Sequence, residues 1–292
     1  INITYTVVPT GPTPTFCVGG PFTIVVTVDP IPAVTNGTLT QSICGSGTAS
    51  FTPVISVGGS TYTWSSTVLS GSVSGVTASG TNVPVSDNLI NSGSVAAVVR
   101  YRVTPTGPVS TLCVGSFVDY VVTVNPVPTV SASAQSICSG ATSNVVISNP
   151  NGVVGTTFSW TLGTVVGAVS GQGAGSGTVI SQTLSSVAGG SVEYLVVASS
   201  NGCSSAVFPV VVTVNPVPVG NSVGAGTNVV CSGTALNIVP TSSVGSSTYS
   251  WTGSNGSGGT GNITDTPVNS GTSPINITYT VVPTGPTPTF CV

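Results

Sequence analysis

Acid–base chemistry in this chain would rest on five carboxylates, Asp29, Asp87, Asp119, Glu193 and Asp265, and two guanidinium groups, Arg100 and Arg102. There is no His and no Lys, so the usual general bases and Schiff-base amines are missing. A Ser or Thr nucleophile needs a base beside it, and no two carboxylates are near neighbours in sequence. Asp87 and Asp119 read as a solvated turn and a strand edge. Arg100 and Arg102 are two apart on a strand and so face one side, near Asp119. Calcium asks for six to eight oxygens, usually with several carboxylates. Asp265, in Asn-Ile-Thr-Asp-Thr, is the best isolated candidate ligand. The chain reads as a non-enzyme, with no cofactor and no metal.

The seven cysteines, Cys17, Cys44, Cys113, Cys138, Cys203, Cys231 and Cys291, carry more information. None sits in a CxxC pair, which argues against a zinc site. In a chain this poor in charge and rich in Thr and Ser they point to disulfides and an oxidising, extracellular compartment. Without a basic stripe there is nothing to neutralise phosphates, so nucleic acid is not a partner. No apolar run approaches the roughly 20 residues that span a bilayer. Disordered chains are polar and highly charged, whereas this one has positive mean hydropathy.

The elements that position these groups repeat. Residues 275–292 restate residues 1–18 without change, INITYTVVPTGPTPTFCV, an offset of 274 residues. A finer period lies inside it. Asp29-Pro30-Ile31-Pro32 returns as Asn125-Pro126-Val127-Pro128 and as Asn215-Pro216-Val217-Pro218. After each linker come an early cysteine (Cys44, Cys138, Cys231) and an aromatic-x-Trp (Trp64, Trp160, Trp251). A Tyr in a strand-like segment follows (Tyr101, Tyr194, Tyr279), then a late cysteine (Cys113, Cys203, Cys291). The duplicated ends lead us to expect a window on a longer array. Residues 1–28 would then be the C-terminal remnant of one domain. Residues 29–124 and 125–214 would be complete domains, and 215–292 a domain lacking its last strand.

Each unit reads as all-β. Runs such as Ser143–Ser148, Thr156–Leu162, Val179–Leu184, Val192–Ser199 and Phe208–Val214 have strand length and β-branched content, with Gly, Asn, Ser and Pro between them. No stretch holds a 3.6-residue apolar stripe with caps. About seven short strands in roughly 90 residues with an early Trp suit an immunoglobulin-like sandwich. The three Trp and the three Tyr are the expected core. Tandem sandwiches in an elongated array are the expected architecture, with the linker prolines holding φ near −65° in a semi-rigid form.

The order Cys-x-Gly, Tyr/Phe-x-Trp, Tyr-x-Val, Asn-Gly-Cys and Val-Asn-Pro-x-Pro resembles the PKD-like and Ig-like repeats of very large bacterial surface proteins. Such repeats are typical of Bacteroidota adhesins exported by the type IX system, including gliding-motility adhesins. PKD domains often carry Gly-Asp-Gly after the Trp segment. Here Trp160-Thr-Leu-Gly163 has no Asp, so nothing that needs that carboxylate carries over.

The repeat suggests two cysteine pairings. One is intradomain: Cys44–Cys113, Cys138–Cys203 and Cys231–Cys291, with Cys17 bonded to a preceding repeat. The other joins each late cysteine to the next early one: Cys17–Cys44, Cys113–Cys138 and Cys203–Cys231. Parity leaves both open. The first is preferred because a rigid sandwich brings its own strands within disulfide reach.

The expected function is a structural stalk segment of a very long secreted or cell-surface fibre. Its partners would be neighbouring repeats of the same chain and laterally associated copies. Two other readings compete with it. One is a carbohydrate-binding array with aromatic platforms. The other is a pilin-like filament in which 1–28 completes a neighbouring subunit. Five sequons, at Asn2, Asn36, Asn255, Asn262 and Asn276, would bear sugar only in a host with N-glycosylation.

Overall fold

The structure, a computed structural model, describes residues 1–109, 112–221, 229–287 and 290–292. It divides into two compact units, and all regular structure among the described residues is strand. The first unit comprises Ile1–Val127 with the short segments Asn151–Val154 and Ser200–Cys203. It begins with a hairpin of β1 (Asn2–Val7) and β2 (Phe22–Thr27), which pairs Tyr5 with Ile24.

The first sandwich follows. Its strands are β3 (Thr40–Cys44), β4 (Gly47–Phe51), β5 (Thr61–Ser70), β6 (Val73–Ser74), β7 (Ser79–Thr81), β8 (Val85–Asn91), β9 (Ala97–Thr106) and β10 (Val118–Asn125). One sheet runs β3-β10-β9-β5-β7 and the other β4-β8-β6. Strict alternation sets the core: along β9, Ala97, Val99, Tyr101 and Val103 are fully buried and the residues between them are not. Phe51 of the small sheet stacks on Tyr120 of the large one at 4.5 Å, and Trp64 meets Tyr101 edge-on at 5.6 Å. Offset and edge-on contacts are what aromatic quadrupoles favour.

The hairpin β1–β2 repeats the β9–β10 register, since Tyr101 faces Tyr120 as Tyr5 faces Ile24, each position 96 residues on. Burial differs. Tyr5 is 54% exposed while Tyr101 is fully buried, because a second sheet covers β9 and the β1–β2 sheet has only two strands.

The second unit comprises Pro128–Pro150, Gly155–Ser199 and Ser204–Val292. The second sandwich is drawn mainly from it. Its strands are β11 (Gln135–Cys138), β12 (Val145–Val146), β13 (Thr157–Val166), β14 (Gly175–Ser176), β15 (Val179–Ile180), β16 (Gly190–Ser200), β17 (Cys203–Ser204) and β18 (Phe208–Asn215). The main sheet runs β11-β18-β16-β13-β14, and β12 pairs with β15. The third repeat has β19 (Gly220–Asn221) paired with β20 (Thr241–Ser242). Its sheet is β22-β21-β23, from β21 (Thr248–Gly253), β22 (Gly258–Thr260) and β23 (Tyr279–Thr284).

Trp64, Trp160 and Trp251 are 4%, 6% and 4% exposed, and each faces a glycine across the sheet: Gly80, Gly175 and Gly259. A Cβ on Gly80 or Gly175 would come within 2.6 Å of the indole ring, so the ring lies flat over bare backbone. One core expectation needs correction. Tyr279 is only half-buried, because β23 is the edge of its sheet, whereas β9 and β16 each have β10 or β18 beside them. The linker prolines divide by burial: Pro32, Pro126, Pro128 and Pro218 are buried, Pro216 is half-buried, and Pro30 is exposed.

Candidate functional site

The cysteines form the site that the repeat builds, and their pairing is neither of the two expected. Cys44 is bonded to Cys203 and Cys138 to Cys291, with Cα atoms 5.6 and 5.5 Å apart. These separations lie in the ordinary disulfide range. Cys17, Cys113 and Cys231 are free.

Strand register explains why Cys44–Cys113, Cys138–Cys203 and Cys231–Cys291 do not form. β3 lies parallel to β10, which sets Cys44 beside Asn125, the last residue of β10. Cys113 lies in the β9–β10 loop, beyond the opposite end of β10. The two are separated by the strand Val118–Asn125, about 23 Å at 3.3 Å per residue. The second repeat does the same: Cys138 faces Asn215 at one end of β18, and Cys203 lies in the connection before its other end.

In the first two sandwiches the early cysteine therefore stands at the outgoing pole and the late cysteine at the incoming one. In the first sandwich the loop after Cys113 lies on the incoming linker; a Cβ on Gly115 would fall 1.9 Å from the Pro32 carbonyl oxygen. Cys17–Cys44, Cys113–Cys138 and Cys203–Cys231 do not form either, because Cys44, Cys138 and Cys203 are each bonded elsewhere. Within the first unit Cys44 meets Cys203, and within the second Cys138 meets Cys291.

Both partners are held by backbone. Gly45 N–H donates to the Asn125 carbonyl at 2.7 Å and Ser139 N–H to the Asn215 carbonyl at 2.8 Å, which ties each early-cysteine turn to the linker Asn. The side chains add to this. Asn125 Nδ2 donates to Ser42 Oγ at 3.1 Å and Asn215 Nδ2 to Ser136 Oγ at 2.8 Å. Within the first unit, Asn125 Nδ2 also reaches the Asn201 carbonyl at 3.4 Å, Asn151 Nδ2 donates to the Val127 carbonyl at 2.8 Å, and Val154 N–H donates to the Ser94 carbonyl at 3.0 Å. The disulfide thus closes a contact that hydrogen bonds already shape.

The ionisable groups serve the fold. Asp87, expected in a solvated turn, is 5% exposed. It accepts hydrogen bonds from Tyr101 Oη at 2.6 Å and from Thr77 through N–H at 2.9 Å and Oγ1 at 2.6 Å. The other repeats match it with Tyr194 Oη to Gln182 Oε1 at 2.7 Å and Tyr279 Oη to Asp265 Oδ2 at 2.6 Å. Burial, and then Asp87, raises the Tyr101 hydroxyl far above the ordinary phenol range. Arg102 makes a two-pronged bond to Asp119 at 2.8 and 2.9 Å and lies 3.8 Å from the Phe117 ring centroid. The Arg102 hydrogen bond holds the Asp119 carboxyl below its usual range. Arg100 reaches Thr67 Oγ1 at 3.4 Å, and Glu193 accepts from Thr164 N–H at 3.0 Å.

Asp265 accepts from Tyr279 Oη, Asn255 Nδ2 at 2.9 Å, Ser257 Oγ at 2.9 Å and Thr266 N–H at 2.8 Å. Tyr279 first, then Asn255 and Ser257, hold its pKa down at about 2, while Tyr279 is pushed up to about 12 by burial and then by Asp265. A carboxylate pKa lowered on folding stabilises the fold above its unfolded value near 3.9. That contribution is lost as pH falls through about 2. The third repeat should therefore weaken between about pH 4 and pH 2, and Asp265→Asn should flatten that slope. The Trp251 indole N–H, bonded to the Asn262 carbonyl at 3.1 Å, is the reporter by its own hydrogen exchange. Equal acid midpoints for the two proteins would refute the assignment.

Folding into successive two-sheet sandwiches, joined by cysteines at their poles, defines a tandem immunoglobulin-like repeat protein. The PKD-like domain family matches residues 41–128, 135–218 and 228–291, and the chain belongs to that family. Similar solved structures include titin domains I67–I69 in an E-to-A mutated variant, at 11% identity and TM-score 0.39, covering 75% of this chain and 78% of that one. Mouse cadherin-23 EC22-24 matches at 14% identity and TM-score 0.33, covering 88% and 94%. DIP-gamma IG1+IG2 matches at 12% and 0.32, covering 64% and 99%. Among curated proteins, none matches this chain. Among the described residues no helix is long and apolar enough to cross a membrane, and no cluster of three or more His, Cys, Asp or Glu could hold a metal.

Proposed function

We propose that this chain is a stalk segment of a long secreted or cell-surface fibre of the adhesin type, and that its work is to carry tension. The observation that carries this reading is that both disulfides join one repeat to the next, Cys44 to Cys203 and Cys138 to Cys291. A disulfide inside a domain protects that domain, whereas one between domains makes the junction a covalent part of the load path. Buried linker prolines support the same reading, because a junction under tension gains from low slack. So does the scarcity of charge, which leaves little repulsion between neighbouring fibres. The resemblance to Bacteroidota surface repeats points to the same compartment, as do disulfides, which persist in oxidising surroundings.

Burial of all three Trp in equivalent cores counts against a carbohydrate-binding array that would present them as platforms. The test is labelling of intact native cells with an antibody raised against the folded chain. Surface label is expected, removable by external protease, with Cys44 and Cys203 oxidised in the released material. Label only after permeabilisation, with those cysteines reduced, would sink the proposal.

A further inference from the structure

Three cysteines are free, and each stands in a loop already shaped for a bond. The late-cysteine loops close in one way: Gly11 N–H to the Cys17 carbonyl at 2.8 Å, Gly107 to Cys113 at 2.8 Å, and Gly285 to Cys291 at 2.7 Å. The residue before each cysteine takes a left-handed φ: Phe16 at 41°, Leu112 at 51° and Phe290 at 47°. Such values are uncommon for bulky residues, so three in one place mark a shared geometry. Of the three, Cys291 is bonded and Cys17 and Cys113 are not.

The early-cysteine turns agree in the same way. Two residues after each cysteine, φ is 72° at Ser46, 87° at Gly140 and 81° at Gly233. Those residues donate to the carbonyls of Leu89, Leu184 and Pro267 at 2.8, 2.8 and 2.9 Å. Cys44 and Cys138 are bonded and Cys231 is free.

We infer that the staple is periodic: the early cysteine of every repeat bonds the late cysteine of the repeat that follows, and Cys231 and Cys113 are the two halves of one staple between successive copies of the 274-residue period. The rule accounts for every cysteine. Cys17 is Cys291 one period earlier, in an identical segment, so its partner is the preceding copy of Cys138. The repeat after Cys231 is a further copy of the first sandwich, whose late cysteine is Cys113. The partner is thus another PKD-like repeat with a late-cysteine loop, continuing in the same polypeptide. The inference rests on the tandem repeat alone and not on a surface location.

The bond forms by thiol–disulfide exchange with a small-molecule disulfide. The Cys231 thiolate attacks it and releases one thiolate. The Cys113 thiolate of the next copy then attacks the mixed disulfide and releases the second. Two cysteine thiols lose two protons and two electrons, one S–S bond forms, and the small disulfide is reduced to two thiols.

The test extends the chain past Val292 with a second copy of residues 19–292, which continues the period without a break. The product is folded in a glutathione redox buffer, digested without reduction and mapped by mass spectrometry. The peptide carrying the first copy's Cys231 should be joined to the one carrying the second copy's Cys113. The internal pairs Cys44–Cys203 and Cys138–Cys291 should appear in the same digest. The free-thiol count should stay at the three of the single-period chain, rather than rise by two. Cys231 found free, or joined elsewhere while the internal pairs are present, overturns the inference. So does loss of the internal pairs, and so does a Cys231–Cys113 link recovered only from covalent dimers.

Discussion

Pulled from its two ends, the oxidised chain should reach a full extension about 620 Å shorter than the reduced chain, at about 3.4 Å per residue. The Cys44–Cys203 bond bypasses 159 residues, each worth about 3.4 Å of extended chain. The Cys138–Cys291 bond bypasses 153 and overlaps the first, so the taut path crosses from Cys44 to Cys203, runs back to Cys138 and crosses to Cys291, which takes about 182 residue lengths out of it. Overlap makes the pair redundant in one respect. With Cys44 replaced by Ser, the remaining bond still hides about 520 Å at the same 3.4 Å per residue. Only the double replacement, Cys44→Ser with Cys138→Ser, should release the whole contour. Intradomain pairing would instead hide separate, shorter stretches, each released by its own mutation. Single-molecule force spectroscopy distinguishes the two, using the chain with all its cysteines and with free thiols alkylated after folding so that no new pair forms. Cys44→Ser alone should lengthen the chain by about 100 Å, and a gain near the roughly 230 Å that a Cys44–Cys113 loop would release refutes the overlapping arrangement.

The class of fold was legible because three copies of one pattern were present, and agreement among copies filters out accident. The positions of Trp64, Trp160 and Trp251, and the alternation along Ala97–Thr106 and Gly190–Ser200, follow directly from that pattern. The cysteine pairing was not legible from spacing. It depends on the pole each cysteine occupies, and that is set by the parallel pairing of β3 with β10 and of β11 with β18. A residue count along the chain cannot tell a parallel first strand from an antiparallel one.

The tyrosine partners were closer to reach. Asp87, Gln182 and Asp265 precede their tyrosines by 14, 12 and 14 residues, so aligning the repeats on Tyr brings the three acceptors nearly together. Their differing chemistry, two carboxylates and an amide, hid a shared role as acceptors. The glycines under the indoles stayed hidden for another reason. The connection between the Trp strand and its partner changes length from repeat to repeat, so Gly80, Gly175 and Gly259 fall at different distances from their Trp.

Replacing Trp64 with Ala should destabilise the first sandwich by about 3–5 kcal/mol, the range for deleting a large aromatic side chain from a core. The ring is 4% exposed, packs edge-on against Tyr101 at 5.6 Å, and donates from Nε1 to the Val83 carbonyl at 2.8 Å. Removing it leaves a cavity between two sheets, deprives the Val83 carbonyl of its donor, and uncovers the backbone at Gly80. The effect should stay local, because Trp160 sits in a separate buried cluster and sites without shared partners behave additively. Gly80→Ala attacks the same contact from the other side. Its methyl would stand 2.6 Å from the ring, so overpacking should cost about 1–3 kcal/mol. Native-state hydrogen exchange with disulfides intact resolves the repeats. In both variants protection should fall along Ala97–Thr106 and hold along Val192–Ala198. If Trp64→Ala cost less than about 1 kcal/mol, an ordinary value for any substitution, the indole would not be the keystone of that core. If both stretches lost protection equally, the repeats would not be folding on separate cores.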